Sequence, residues 1–128
     1  MNVEELREHC LSVKGAEECM PFDEDTMVYK VMGKMFAYFA LTPKNGEFWV
    51  CMKCDPERSV DLRERYRGVY KGDHAGDSLL WNNIAINSDV PDPLIVELIH
   101  HSVSEVIKKL PKYKQQAYHD ADIPTAHR

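Results

Sequence analysis

The sequence predicts an α+β fold, a two-layer sandwich in which helices gather on one face of an antiparallel sheet. Two observations predict it. Between Thr26 and Lys53, three strand-like stretches follow one another, separated only by turn-forming residues. Outside them, stretches of helical period carry apolar stripes broad enough to cover a sheet. At 128 residues the chain is one domain, long enough for one core and too short for two. Residues 1–115 are expected to form that domain, with 116–128 as a C-terminal tail free to move.

Asn2 can cap a first helix, with Glu5 in the reciprocal capping position. Val3, Leu6, Cys10 and Val13 form its stripe, and Lys14-Gly15 ends it. The carboxylates around Cys19-Met20-Pro21-Phe22 read as a solvated loop, pinned to the sheet edge by Pro21-Phe22. Thr26–Met32 and Lys34–Leu41 are strands, turned at Gly33. Strict alternation across that turn puts Met27, Tyr29, Val31, Phe36 and Tyr38 on one face. It puts Thr26, Val28, Lys30, Ala37, Phe39 and Leu41 on the other, with Lys30 marking the more open side. Pro43-Lys44-Asn45-Gly46 is a second turn, and Glu47–Lys53 a third strand.

Asp55 caps a second helix with Pro56 in its first turn, and the helix runs to Gly68. Its Asp61 and Arg65 have the spacing of an ion pair. Gly68–Lys71 and Trp81–Ile86 are two further strands, and Asp92 caps the last helix with Pro93 at its first position. Leu94, Ile95, Leu98, Ile99, Val103, Val106, Ile107 and Leu110 give that helix its broad apolar side. After Pro111 the periodicity stops, leaving Tyr113 and Tyr118 as the means of packing. The predicted order is α-β-β-β-α-β-β-α.

Charge narrows the functions. The net charge of −5 excludes a protein that coats nucleic acid through bulk charge. Residues 1–25 are net −6, residues 26–74 net +3 and residues 75–128 net −2, so positive charge is confined to the middle. No run approaches a membrane span and the start MNVEELREHC has no signal-peptide core, which points to the cytoplasm. The four cysteines, Cys10, Cys19, Cys51 and Cys54, are then expected as reduced thiols. Cys51 and Cys54 form a lone C-x-x-C, but the first lies within a strand and the helix starts only after the second, unlike a redox motif. Zinc would need two more ligands at a recognisable spacing, so no metal and no cofactor is expected.

Several short motifs, in order, resemble one family. They are Pro21-Phe22, Val31-x-Gly33-Lys34-Met35-Phe36, Lys53-Cys54-Asp55-Pro56, Leu62-Arg63-x-x-Tyr66, Gly68-x-x-x-Gly72-x-His74 and Trp81-Asn82. The last helix then closes on Leu110-Pro111. Together they resemble the MmcQ/YjbR proteins over residues 1 to about 115. The resemblance implies a fold like the type III secretion chaperones, in agreement with the element order, and a DNA-binding role drawn from that fold.

Three functions follow. As a nucleic-acid binder the chain would use Lys30, Lys34, Lys53, Arg58, Arg63, Arg65, Arg67 and Lys71, with His74 and Trp81. Tyr38 or Trp49 would supply a stacking ring. As a protein-interaction or chaperone-like module it would receive a peptide, or a second copy of itself, on the open sheet face or an edge strand. An enzyme is the least supported, because no nucleophile, phosphate-binding or metalloprotease motif is present. His74 beside Asp73 is then the best acid–base candidate, and no catalytic residue is assigned.

Overall fold

The computed structural model describes residues 1–72 and 80–121. In chain order it contains α1 (Val3–Leu11), β1 (Glu17–Cys19), β2 (Thr26–Val31), β3 (Lys34–Ala40), β4 (Trp49–Lys53) and α2 (Pro56–Arg65). There follow β5 (Val69–Lys71), β6 (Trp81–Ala85), α3 (Asp92–Ile107) and α4 (Lys112–Asp120). The strands form one six-stranded sheet in the order β1-β2-β3-β4-β6-β5, every neighbour antiparallel. The expected two-layer α+β sandwich is the observed architecture.

Local chemistry sets the boundaries. Asn2 Oδ1 accepts from the Glu5 N–H at 2.8 Å while Glu5 Oε1 accepts from the Asn2 N–H at 3.1 Å, a complete capping box. Met32 and Gly33 both have positive φ, 50° and 77°, making the mirror-image turn that joins β2 to β3 without splaying them. Asn45 (54°) and Gly46 (78°) do the same further on, where Lys44 and Glu47 exchange backbone hydrogen bonds of 2.8 and 3.0 Å. Asp55 caps α2 by accepting from the Arg58 N–H. α3 has no side-chain cap: Asp92 opens it from within the first turn, one position later than its expected capping role.

Two expectations change. The acidic stretch after Gly15 is not all loop, because Glu17–Cys19 pairs with β2 as an edge strand, Glu17 opposite Lys30 and Cys19 opposite Val28. Alternation along β3 also breaks. Tyr29 lies opposite Ala37 but Lys30 lies opposite Met35, so two residues of β3 face one of β2 and Phe36 is a bulge. Phe36 and Ala37 therefore both point into the main core with Phe39, whereas Tyr38 turns to the other face with Met35. The side containing Val28 and Lys30 is the more open one, as expected, but Tyr38 belongs to it and Ala37 and Phe39 do not.

Beside the bulge the pairing of β3 with β4 stops, Ala37 and Met52 being its last pair, and α3 fills the gap between Phe36 and Lys53. Ser102, fully buried, donates from Oγ to the Phe36 carbonyl at 2.6 Å and accepts from the Lys53 N–H at 2.9 Å. A hydroxyl on the helix thus completes a ladder that the strands cannot. The core beneath α1 and α3 gathers Leu6, Tyr29, Phe36, Phe39, Val50, Met52, Ile95, Leu98 and Ile99. Residues 112–120 form α4, where no periodicity was read; Tyr118 docks on the core and its hydroxyl donates to the Lys14 carbonyl at 2.7 Å.

Candidate functional site

Helices cover only one face of the sheet. The other carries Val28, Tyr38 and Cys51 as a small buried cluster, flanked by Cys19, Met35, Trp49 and Trp81. The cluster owes its position to register: Trp49, Cys51 and Lys53 alternate along β4 opposite Ala85, Asn83 and Trp81 of β6. Tyr38 and Trp49 meet edge to face with ring centroids 5.8 Å apart. Lys30 lies on this face, opposite Glu17 in the register.

At one end of this face the start of β3, the end of β4, the start of β6 and the C-terminal end of α3 meet. They enclose a cleft of about 350 Å³ lined by Lys34, Met35, Lys53, Trp81, Val106, Lys109 and Leu110. Three ammonium groups, an indole and a thioether share one opening, with no carboxylate in its wall among the described residues. The side chains of Lys34 and Lys109 make no hydrogen bond or ion pair among the described residues, so their charge faces solvent. Chemically this is a site for an anion carrying a flat apolar group.

The arginines of α2 lie elsewhere. Ser59 and Leu62 bury this helix against the helix-covered side of the sheet. There Arg58 is ion-paired to Glu97 of α3, Arg63 Nε donates to Asn82 Oδ1 at 2.6 Å, and Arg65 lies 3.9 Å from Asp61. Arg67 is held through its backbone N–H by Asp89, at 2.8 Å. Lys71, opposite Asn82 in the register, shares the helix-covered face. Of the residues expected to form one basic surface, the structure brings together Lys34, Lys53 and Trp81, with Lys30 on the same face. It separates them from the arginines by the thickness of the sheet. His74 lies outside the described residues. Lys109 was not expected; only its place in the fold, 75 positions after Lys34, joins it to the cleft.

The remaining chemically active side chains are structural. The four cysteines are free thiols. Cys51 lies on the helix-free face and Cys54 in the main core, so the C-x-x-C points its sulfurs to different sides of the sheet. Burial pushes the Cys10 thiol up to about 12 and raises Cys54 as well, the reverse of an activated nucleophile. His101 Nε2 accepts from the Asp55 N–H at 3.1 Å, which requires the neutral ring, and burial lowers its pKa. Glu18 accepts from Arg7 Nε at 2.8 Å and from the Tyr29 hydroxyl at 2.7 Å; the hydrogen bond from Arg7 is the main cause of its lowered pKa. Among the described residues no three His, Cys, Asp or Glu side chains stand together as metal ligands. No helix among them is long and apolar enough to cross a membrane.

Comparison with known proteins places this architecture. The chain is 25% identical to the YjbR protein of Escherichia coli strain K12 over 116 residues, covering 91% of this chain and 96% of that one. It is 26% identical to the YbdF protein of Escherichia coli O157:H7 over 106 residues, or 83% and 84% of the two chains. The crystal structure of a Deinococcus radiodurans protein with a DUF419 domain superposes with a TM-score of 0.82 at 29% identity, over 95% of this chain and 91% of that one. A Pseudomonas syringae protein shares the fold at a TM-score of 0.68 and 18% identity, over 80% and 96%. The family description YjbR matches residues 11–103, all six strands of the sheet and most of α3. The chain belongs to the YjbR family.

Proposed function

We propose that the protein is a non-enzymatic nucleic-acid binder that takes a single strand into the cleft of Lys34, Lys53 and Lys109, with a base against Trp81. The observation that carries this reading is the composition of the cleft wall: among the described residues it has three lysines, one indole and no carboxylate, in a chain of net charge −5. Against so acidic a background, three lysines at one opening depart from the average surface. The indole and the thioether give every base a face to stack on, so the reading favours strands whose bases are unpaired. The α2 arginines, engaged with Glu97, Asn82 and Asp61, contribute little.

Titration of labelled single-stranded and duplex DNA at two salt concentrations tests it. Three phosphate contacts give a slope near −2 in log–log form for a single strand, or about a 20-fold loss of affinity between about 50 and 200 mM salt. Lys34→Ala with Lys109→Ala, both exposed positions, should cut the slope by more than half. In a Trp49→Phe background the fluorescence of Trp81 should be quenched by the strand. Absence of binding at low salt, or binding unaffected by the double variant, would sink the reading.

A second reading rests on a different part of the same face. Phe22, Asp23, Thr26, Tyr38, Ala40 and Trp49 line a largely aromatic hollow of about 370 Å³, and Phe22 is 69% exposed. An apolar side chain from a protein partner or a second copy would fit there. Phe22→Ala separates the two readings, since it should abolish protein docking and leave the salt-dependent strand binding intact.

A further inference from the structure

Two lysines of the cleft carry charge that the fold does not use. Lys34, at the start of β3, and Lys109, just past the end of α3, are exposed and have no hydrogen-bond or ion-pair partner among the described residues. Lys108, one position away, shows the contrast: its ammonium is held by the Glu105 carboxylate at 2.7 Å. Like charges at one opening repel each other, and an anion placed between them relieves the repulsion.

The rest of the wall is apolar. Met35 and Trp81 are half-buried, and Val106 and Leu110 are buried behind them. A volume of about 350 Å³ is at the small end of the range for ligand pockets, about 300–1,000 Å³, which suits one nucleotide rather than a length of strand. The base of that nucleotide takes the indole and the thioether. Its own phosphate is left to meet the two lysines, because a second phosphate in the cleft would lie on the apolar wall, stripped of water without a partner. An internal nucleotide offers a phosphodiester with one negative charge. A strand end carrying a phosphate monoester offers close to two, on three acceptor oxygens. Lysine, a compact charge with three donors, suits such a group.

We propose that the cleft selects the phosphorylated end of a strand, with the terminal monoester between Lys34 and Lys109 and the last base on Trp81. The selection rests on the strand-binding reading and narrows it from any unpaired stretch to an end. The charge of such an end, close to two on the monoester and one on the phosphodiester that follows, matches the three lysines of the cleft wall.

The test compares one internally labelled thymidine strand with hydroxyls at both ends, with a 5′-phosphate, with a 3′-phosphate, and with the methyl ester of each phosphate. At pH 8 and about 50 mM salt, at least one phosphorylated end should bind about tenfold tighter or more than the hydroxyl-ended strand. Its methyl ester, which keeps the phosphate and removes one charge, should lose most of that gain. Lys34→Ala with Lys109→Ala, both at exposed positions, should bring phosphorylated and hydroxyl-ended strands within about twofold of each other. Thymidine monophosphate at millimolar concentration should displace the strand, and inorganic phosphate should not, having no base for Trp81. Equal affinity for every end would overturn the selection of ends and leave the strand-binding reading standing. Absence of binding by any of the strands would remove both. A phosphate advantage that survives the double variant, or displacement by inorganic phosphate equal to that by the nucleotide, would also overturn it.

Discussion

Ser102 is the side chain whose removal should cost most for its size. It is fully buried and spans the gap left by the Phe36 bulge, donating to one backbone carbonyl and accepting from one N–H. In Ser102→Ala both backbone groups lose this partner in a site closed to water. At about 1–2 kcal/mol per stranded group, the expected loss is about 2–4 kcal/mol. That is a large part of a total of about 5–15 kcal/mol for a domain. In urea, with a slope of about 2 kcal/mol per molar, the midpoint should fall by about 1–2 M with the slope unchanged. Ser104→Ala, on the exposed side of α3, is the control and should change stability by less than about 0.5 kcal/mol. A Ser102→Ala midpoint within about 0.3 M of the parent would mean that β3 and β4 close the gap without α3, and would refute the account of the bulge.

Other outcomes follow from the same interior. Glu18 has a folded pKa below its unfolded one, so its contribution is present above the unfolded value near 4.3 and is lost as pH falls through the folded value. Glu18→Gln should accordingly flatten the acid limb of a stability–pH profile between about pH 5 and 3. His101 is lowered, so below about pH 6.5 the unfolded chain takes up its proton first and stability declines with acidity. His101→Gln should remove that slope between about pH 7 and 5, read from urea midpoints. Among the cysteines Cys19 alone is not fully buried, so a thiol reagent should label one site quickly in the native protein and the other three only on unfolding. Rapid labelling of Cys51 or Cys54 would contradict their placement.

Much of this fold could be read from local chemistry, and the misreadings share one cause. The capping box at Asn2, the positive-φ turns at Gly33 and Asn45-Gly46, and Asp55-Pro56 at the head of α2 are each decided by residues within four positions of one another. The bulge is not. Nothing in Met35-Phe36-Ala37 announces an extra residue, and strict alternation then sends Tyr38 to the wrong face. β1 was missed because Glu17-Glu18-Cys19 looks like solvated loop; its pairing partner, and Arg7 and Tyr29 that hold Glu18, lie outside the stretch. The site was half legible for the same reason. Clustered basic residues in sequence suggested one surface, yet α2 and the sheet present theirs to opposite sides. Lys109 becomes visible only when distant segments are brought together.

The shortness of the outermost strands bears on how this protein can associate. β1 and β5 are three residues each, and β1 carries two adjacent carboxylates. An incoming chain would find only a brief row of unpaired amides at either margin, and negative charge at one of them. Sideways growth of the sheet, whether as a domain-swapped dimer or as a fibril, is therefore discouraged, even though four of its six strands are rich in apolar residues. What the edges withhold, the helix-free face and its corners offer: a surface on which side chains rather than backbone would do the recognising, as the proposed strand binding requires.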